Sequence, residues 1–428
     1  MKNIAILCAL LLGMSWAYAT PKLPDQSDEK HLGVSSCASS TCHGSVKPLN
    51  KTRVLQNEYV IWSRYDPHSR AMETLRNAES QKIAKNLGLK EPAHESAMCT
   101  GCHLSSPKED ARGPKFTVND GIGCESCHGG SEKWLKPHTQ KDRSHEDNIA
   151  DGMYPTADPQ ARTTLCLSCH MGNDDKFTTH EIMGAGHPRL SFELQTFSEL
   201  QPMHYRIDDD YIARKNGHNA LNTWMGGIYG NAINWLELLA SDWMNPSTLF
   251  PELAVFDCQA CHHAMGDKRW QPRNSRRLPP GTVRLADSHL MMAWLVTAEI
   301  APAEQADLRQ WLHQLHAAST QSVSEIKKTA KAGIIRLKLL QKNQANANPN
   351  PEQLRKLLAA VISAGERGWF DDYNAAEQAA FGIQLILRAV KPNTYQTLSV
   401  PLFNSVNDED NFEPYTFKLA LKGLSKEL

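Results

Sequence analysis

The sequence predicts a mainly α protein of two unlike parts: short helices wrapped by loops ahead of residue 285, and a helical bundle after it. Three observations carry this. Of five cysteine pairs, each closed by a histidine, four crowd into residues 37–170 of the 428-residue chain and the fifth stands apart at Cys258, and the sequence between the second, third and fourth is rich in Gly, Pro, Ser and charge. From Leu285 onward there is no cysteine, and the composition shifts to Ala, Leu, Gln, Lys and Glu in stretches separated by proline-containing breaks. No convincing run of strand residues appears anywhere.

The chain opens with Lys2, an apolar run from Ile4 to Met14 and then Ala17-Tyr18-Ala19, the pattern of a secretory signal cleaved after Ala19. Cys8 lies inside the apolar run, not at its end, which speaks against a lipoprotein anchor. No other apolar run is long enough to span a bilayer, so the mature chain is expected to have no membrane span and to be periplasmic or otherwise exported. With 46 basic against 47 acidic residues, the chain lacks the basic surface that nucleic-acid binding demands.

An exported chain with ten mature cysteines would ordinarily be read as a disulfide framework. The spacing overrides that reading. Cys-x-x-Cys-His occurs four times: Cys99, Cys102 and His103; Cys124, Cys127 and His128; Cys166, Cys169 and His170; Cys258, Cys261 and His262. Two intervening residues put both sulfurs on one side of a single turn, where they can form thioethers with one haem, and the next imidazole then points at the iron. One such motif could be a redox dithiol or half a zinc site; four in one exported chain argue strongly for haem c.

The remaining pair, Cys37 and Cys42 before His43, has four residues between the thiols. It reads either as an expanded attachment site or as a small disulfide loop beside a histidine. The Cys-His ending, and the absence of any other mature cysteine outside a motif, favour attachment. The expected cofactor complement is therefore five covalently attached haems c.

Five of the 18 histidines close the motifs, leaving 13 for the five second axial positions. His68 precedes a stretch, Arg70 to about Leu87, that reads as a helix stopped by Gly88. His187 lies in Gly184-Ala185-Gly186-His187-Pro188, where small residues admit a flat macrocycle and proline stiffens the backbone. His180 competes with it, and His263 directly follows a motif histidine, so its ring must diverge from His262 toward a neighbour. His138, after Pro137, and His289, at the start of an apolar helical segment, form a second group with His31, His94, His145, His204 and His218, several of which must be spare. His313 and His316, one turn apart, read as helix surface, and Met72, Met98 and Met171 as core packing.

A basic run, Lys268 to Arg277, follows the fifth motif. Each haem brings two propionates, which arginines hold bidentately, and this reading outweighs a docking patch or an anionic-substrate site. Between Asn219 and Trp243, apolar residues recur at helical spacing, with Gly226, Gly227 and Gly230 on one side. Those glycines imply either a close approach by a haem or another helix, or a kink. Further helices are expected near Leu285–Ile300, Ala303–Gln341, Pro351–Ala364 and Asp371–Val390. The resulting organisation is a signal peptide over 1–19, a tetrahaem module over 20–200, a fifth-haem region over 201–284 and a helical region over 285–428. The last would cover the fifth haem, form a homo-oligomer or dock a partner.

His31-Leu32-Gly33, the Cys37 to His43 site, Trp62-Ser63 with His68, Cys99 to His103, and Gly121-Ile122-Gly123-Cys124-Glu125-Ser126-Cys127-His128-Gly129-Gly130 together resemble the cytochrome c-554 family over roughly residues 31–200. The resemblance implies a multihaem cytochrome module, mostly helical, with stacked ring pairs, bis-histidine ligation at most irons, and electron transfer in periplasmic respiratory or nitrogen and sulfur metabolism. The chain departs from the family at its expanded first motif, and its fifth motif and helical tail lie outside the family module.

Three functions follow: a carrier exchanging electrons with redox partner proteins; an oxidoreductase binding a small nitrogen or sulfur compound at one open-faced iron; and a subunit of an extracellular haem polymer. No lysine replaces a motif histidine, and histidines are in surplus, so the carrier comes first. If one iron is catalytic, the expanded motif makes the haem at His43 the nominee.

Overall fold

The computed structural model describes residues 21–50, 53–214, 219–245, 250–263, 278–279, 281–344 and 347–428. The leader with Cys8, His218 and the basic run 268–277 lie outside them. The described residues are helical, with no strand and two isolated bridges, His31 to Arg112 and Phe256 to Leu285. The mainly α expectation holds.

The first half carries short helices: α1 (Glu58–Tyr65), α2 (Ala71–Thr74), α3 (Ala78–Asn86), α4 (Ala97–His103), α5 (Cys124–His128), α6 (His145–Ala150), α7 (Pro159–His170), α8 (His180–Gly184), α9 (Leu194–Leu200) and α10 (Asp209–Arg214). The second half is built from long ones: α11 (Ala220–Ala240), α12 (Ser288–Ile300), α13 (Pro302–Ser319), α14 (Val323–Gln344), α15 (Pro351–Glu366), α16 (Tyr373–Val390), α17 (Tyr395–Asn404) and α18 (Pro414–Glu427).

Two helical stretches differ from the sequence reading, each for a local reason. The stretch from Arg70 to Leu87 is two helices, because Asn77 adopts an extended backbone and its side chain accepts from Ser80 N, capping α3 afresh. Gly88, at φ +69°, ends α3 as expected. Ala303–Gln341 is a helical hairpin, since the chain turns at Thr320 and Ser322 Oγ accepts from Glu325 N to start α14. Two further helices, α17 and α18, follow, and α17 keeps Pro401 inside it.

The buried helix α11 is the hub, lying against α14, α7, α12, α9 and α16. Its glycines seat side chains of neighbouring segments: a Cβ on Gly230 would come 2.3 Å from Thr163 Cγ2 on α7, and one on Gly227 would come 2.7 Å from Leu194 Cβ on α9. Through α7, which ends in the fourth motif, the hub is bolted to the motif-bearing half.

Candidate haem-binding sites

The helices deliver three of the five motifs in one way. His103, His128 and His170 are the last residues of α4, α5 and α7, with both cysteines on the preceding turn. The fifth motif is a tighter turn, Cys258–Ala260, in which His262 N donates to Cys258 O at 2.7 Å. The first motif keeps the same link: His43 N donates to Cys37 O at 3.2 Å. Its two extra residues are looped out in a turn, where Cys42 N and Gly44 N both donate to Ser39 O at 2.9 and 2.8 Å. Cys37 and Cys42 are not bonded to each other.

Each motif histidine faces a second imidazole. The ring centroids of His43 and His138 stand 6.2 Å apart, His68 and His170 6.0 Å, His103 and His187 6.4 Å, His128 and His204 6.2 Å, and His180 and His262 6.1 Å. A metal–imidazole bond is about 2 Å long and the bonded nitrogen lies about 1.1 Å from its ring centre, so one ion held between two trans imidazoles separates the centroids by roughly 6.2 Å. All five pairs match that spacing, and the donor chemistry suits haem iron.

Second contacts aim several of these rings. Nδ1 of His43 lies 2.9 Å from Glu58 Oε2, that of His68 2.8 Å from Asp66 Oδ1, that of His138 2.6 Å from Leu135 O, that of His187 2.7 Å from Pro188 O and that of His103 3.3 Å from Ala71 O. With Nδ1 engaged, Nε2 is left for a metal. Burial pushes His128 and His170 down to about 4, which leaves them neutral and able to bind metal near neutral pH, and it pushes His204 and His103 in the same direction. The Glu58 hydrogen bond holds His43 above its usual range, and Asp66 does the same for His68.

The scaffold around the third motif accounts for its sequence. Glu125 is 4 % exposed, and its carboxylate accepts from Leu32 N, Gly33 N, Ser131 N and Ser131 Oγ, tying the His31-Leu32-Gly33 segment to α5. Gly129 at φ +82° and Gly130 let the backbones of residues 152–154 and 29–30 pass close by. Trp62 Nε1 donates to Ile122 O at 3.0 Å, and Ile122 N donates to His68 O at 3.0 Å. The sequence profile of the cytochrome c554 and c-prime family matches residues 36–129, which include these residues from Cys37 to Gly129.

This stretch belongs to the cytochrome c554 family. The chain is thus a c-type cytochrome, an electron carrier with covalently bound haem c and redox partners. No curated protein and no solved structure matches it. Among the described residues no helix is long and apolar enough to cross a membrane.

The cytochrome's motifs also adjoin one another. The Cys37 and Cys124 thiols lie close enough to shift each other's titration, as do those of Cys102 and Cys169. Cys127, of the third motif, interacts with Cys166 and Cys169 of the fourth.

Of the sequence-predicted second ligands, His68, His138, His180 and His187 all face a motif histidine. His180 and His187 are not competitors, because they face different partners. His204 faces His128, although nothing in Gln201-Pro202-Met203-His204 marks it locally. None of the five pairs uses His263 or His289. His289 instead lines a cavity beside Cys258, with Met183, Arg189, Trp235, Asn374 and Gln378 in the same wall, and burial pushes its imidazole down to about 4.

Proposed function

We propose that this cytochrome is an exported five-haem electron carrier in which every iron is held between two histidines. The carrying observation is the set of five imidazole pairs at the spacing of one shared metal ion. In this reading Cys37 and Cys42, Cys99 and Cys102, Cys124 and Cys127, Cys166 and Cys169, and Cys258 and Cys261 hold the five porphyrins. His43 with His138, His103 with His187, His128 with His204, His170 with His68, and His262 with His180 hold the irons. Bound haem c supplies a one-electron couple. The chain's own part is to fix ring orientation through Glu58, Asp66 and the carbonyls of Ala71, Leu135 and Pro188, and, by burial, to favour the unprotonated ring at His103, His128, His170 and His204.

The motif contacts support a relay running first, third, fourth, second, with the fifth site reached from the second through the short segment that carries both His187 and His180. With two imidazoles at every iron, none keeps an open face, which places catalysis at the His43 haem behind electron transfer. The cavity beside Cys258 is the place for the fifth macrocycle, with Arg189 and His289 in its polar wall. The leader pattern supports export to the periplasm, where such a carrier meets its partners.

Haem quantification by pyridine haemochrome, together with the intact mass of the chain, tests this directly. Five haems per chain and no leader are expected. Four haems with a disulfide between Cys37 and Cys42 would remove the first site, and an uncleaved leader would remove the export reading.

A further inference from the structure

Two of the five imidazole pairs draw a ring from one short segment. His180 opens α8 and faces His262, and His187 follows the helix and faces His103. The second and fifth sites therefore share a support, although their motifs lie on opposite sides of it in the sequence. Glu252 Oε1 accepts from His180 N at 2.8 Å, and Asn86 Nδ2 donates to Ala185 O at 2.8 Å, so the segment is pinned to both neighbourhoods.

Its far end is gripped by the helical half. Arg189, two residues after His187, places Nε 2.9 Å from both carboxylate oxygens of Glu409 and Nη2 3.5 Å from Glu377 Oε2 on α16. Its guanidinium lies 5.0 Å over the Tyr373 ring, and its side chain is 16 % exposed. The start of α16 also grips the fifth motif. Tyr373 N donates to Gln259 Oε1 at 3.3 Å, while Asp372 pairs with buried Arg284, which binds Asp257 Oδ2 at 3.0 Å, next to Cys258. One helix end thus holds the motif side of the fifth site directly, and the opposite side through Arg189.

Building on the five-haem reading, we propose that Arg189 is a positioning residue that sets the imidazoles of His187 and His180 together. The second and fifth haems then respond as one pair, at the junction where electrons cross between the c554 segment and the fifth haem. A guanidinium that bridges two carboxylates and lies over an aromatic ring suits this role because it fixes orientation as well as charge.

The test compares wild-type holoprotein with Arg189→Ala and with Glu409→Gln, the milder change, by electron paramagnetic resonance of the oxidised form and by redox titration. His180→Met and His187→Met, each exchanging one imidazole for a thioether, mark the signals of the fifth and second haems. Both test variants are expected to keep five haems and to shift those two low-spin signals and their midpoint potentials, Glu409→Gln less than Arg189→Ala, with the other three unchanged. Five unchanged signals, a change at only one of the two, or a change spread over all five would overturn the proposal. Failure of the five-haem reading would show separately, as fewer than five low-spin signals in the wild type.

Discussion

Ahead of Leu167 the described chain buries two small apolar clusters, one of Met72, Leu75, Ala84, Ala93 and Leu104 and one of Leu23, Tyr154 and Ala161. From Leu167 to Leu424 a single continuous core runs through α11 and the helices around it. The first region carries the first three of the five motifs and little apolar interior of its own, so flat porphyrin faces have to supply what its side chains do not. The second region packs helix on helix and meets the fourth and fifth motifs only at its edges, beside Cys166 and Cys258. One chain thus combines a cofactor-dependent fold with a self-sufficient one.

The sharpest way to break this comparison is to withhold attachment. Changing Cys99, Cys102, Cys124 and Cys127 to Ala is expected to leave residues 21–165 open to limited proteolysis while α11–α18 stay protected, as mapped by mass spectrometry of the fragments. A first region that remains resistant would mean that its side chains suffice. The converse change is Leu236→Ala in the fully buried face of α11, expected to cost about 2–5 kcal/mol in denaturant unfolding through loss of burial and a residual cavity, without altering the haem spectrum of the folded protein.

Next in size is Glu125→Gln. It keeps the shape and removes the charge that gathers four donors, so a loss of about 2 kcal/mol is expected, read as a lowered unfolding midpoint. His289→Leu is expected to leave all five low-spin signals in place, whereas His180→Ala should turn one iron in five high-spin. The reverse pattern would transfer the fifth ligand to His289.

The smallest effect is in pH dependence. Burial raises Glu193, at the N-terminus of α9, above its ordinary value of 4.5. Its folded form therefore holds the proton more tightly than the unfolded chain, and its favourable contribution, complete below 4.5, fades as pH rises through the elevated value. Glu193→Gln should flatten that part of the stability profile and leave the melting temperature at neutral pH unchanged or slightly higher; a steeper profile would contradict the sign.

Much of the cofactor chemistry was legible because thioether attachment is local: two sulfurs and a histidine within five to seven residues. The imidazoles that face the motif histidines were legible only in part, since each is brought to its partner by tertiary packing. His68 and His187 announced themselves through proline and glycine context, but His204 reaches His128 from a chain segment with no local mark. His263 looked eligible by adjacency and His289 by its place in an apolar segment; His289 proves to be cavity wall. In the helical half, composition marked the bundle, but the turn at Thr320 contains neither Gly nor Pro, and Pro401 masked α17.

The central claim is that five irons each sit between two imidazoles. Spin quantification by electron paramagnetic resonance of the oxidised holoprotein addresses it most directly. The account predicts five low-spin ferric centres per chain and no high-spin component, unchanged on adding nitrite, hydroxylamine or sulfite. A high-spin signal near one equivalent, shifting with any of these, would contradict it.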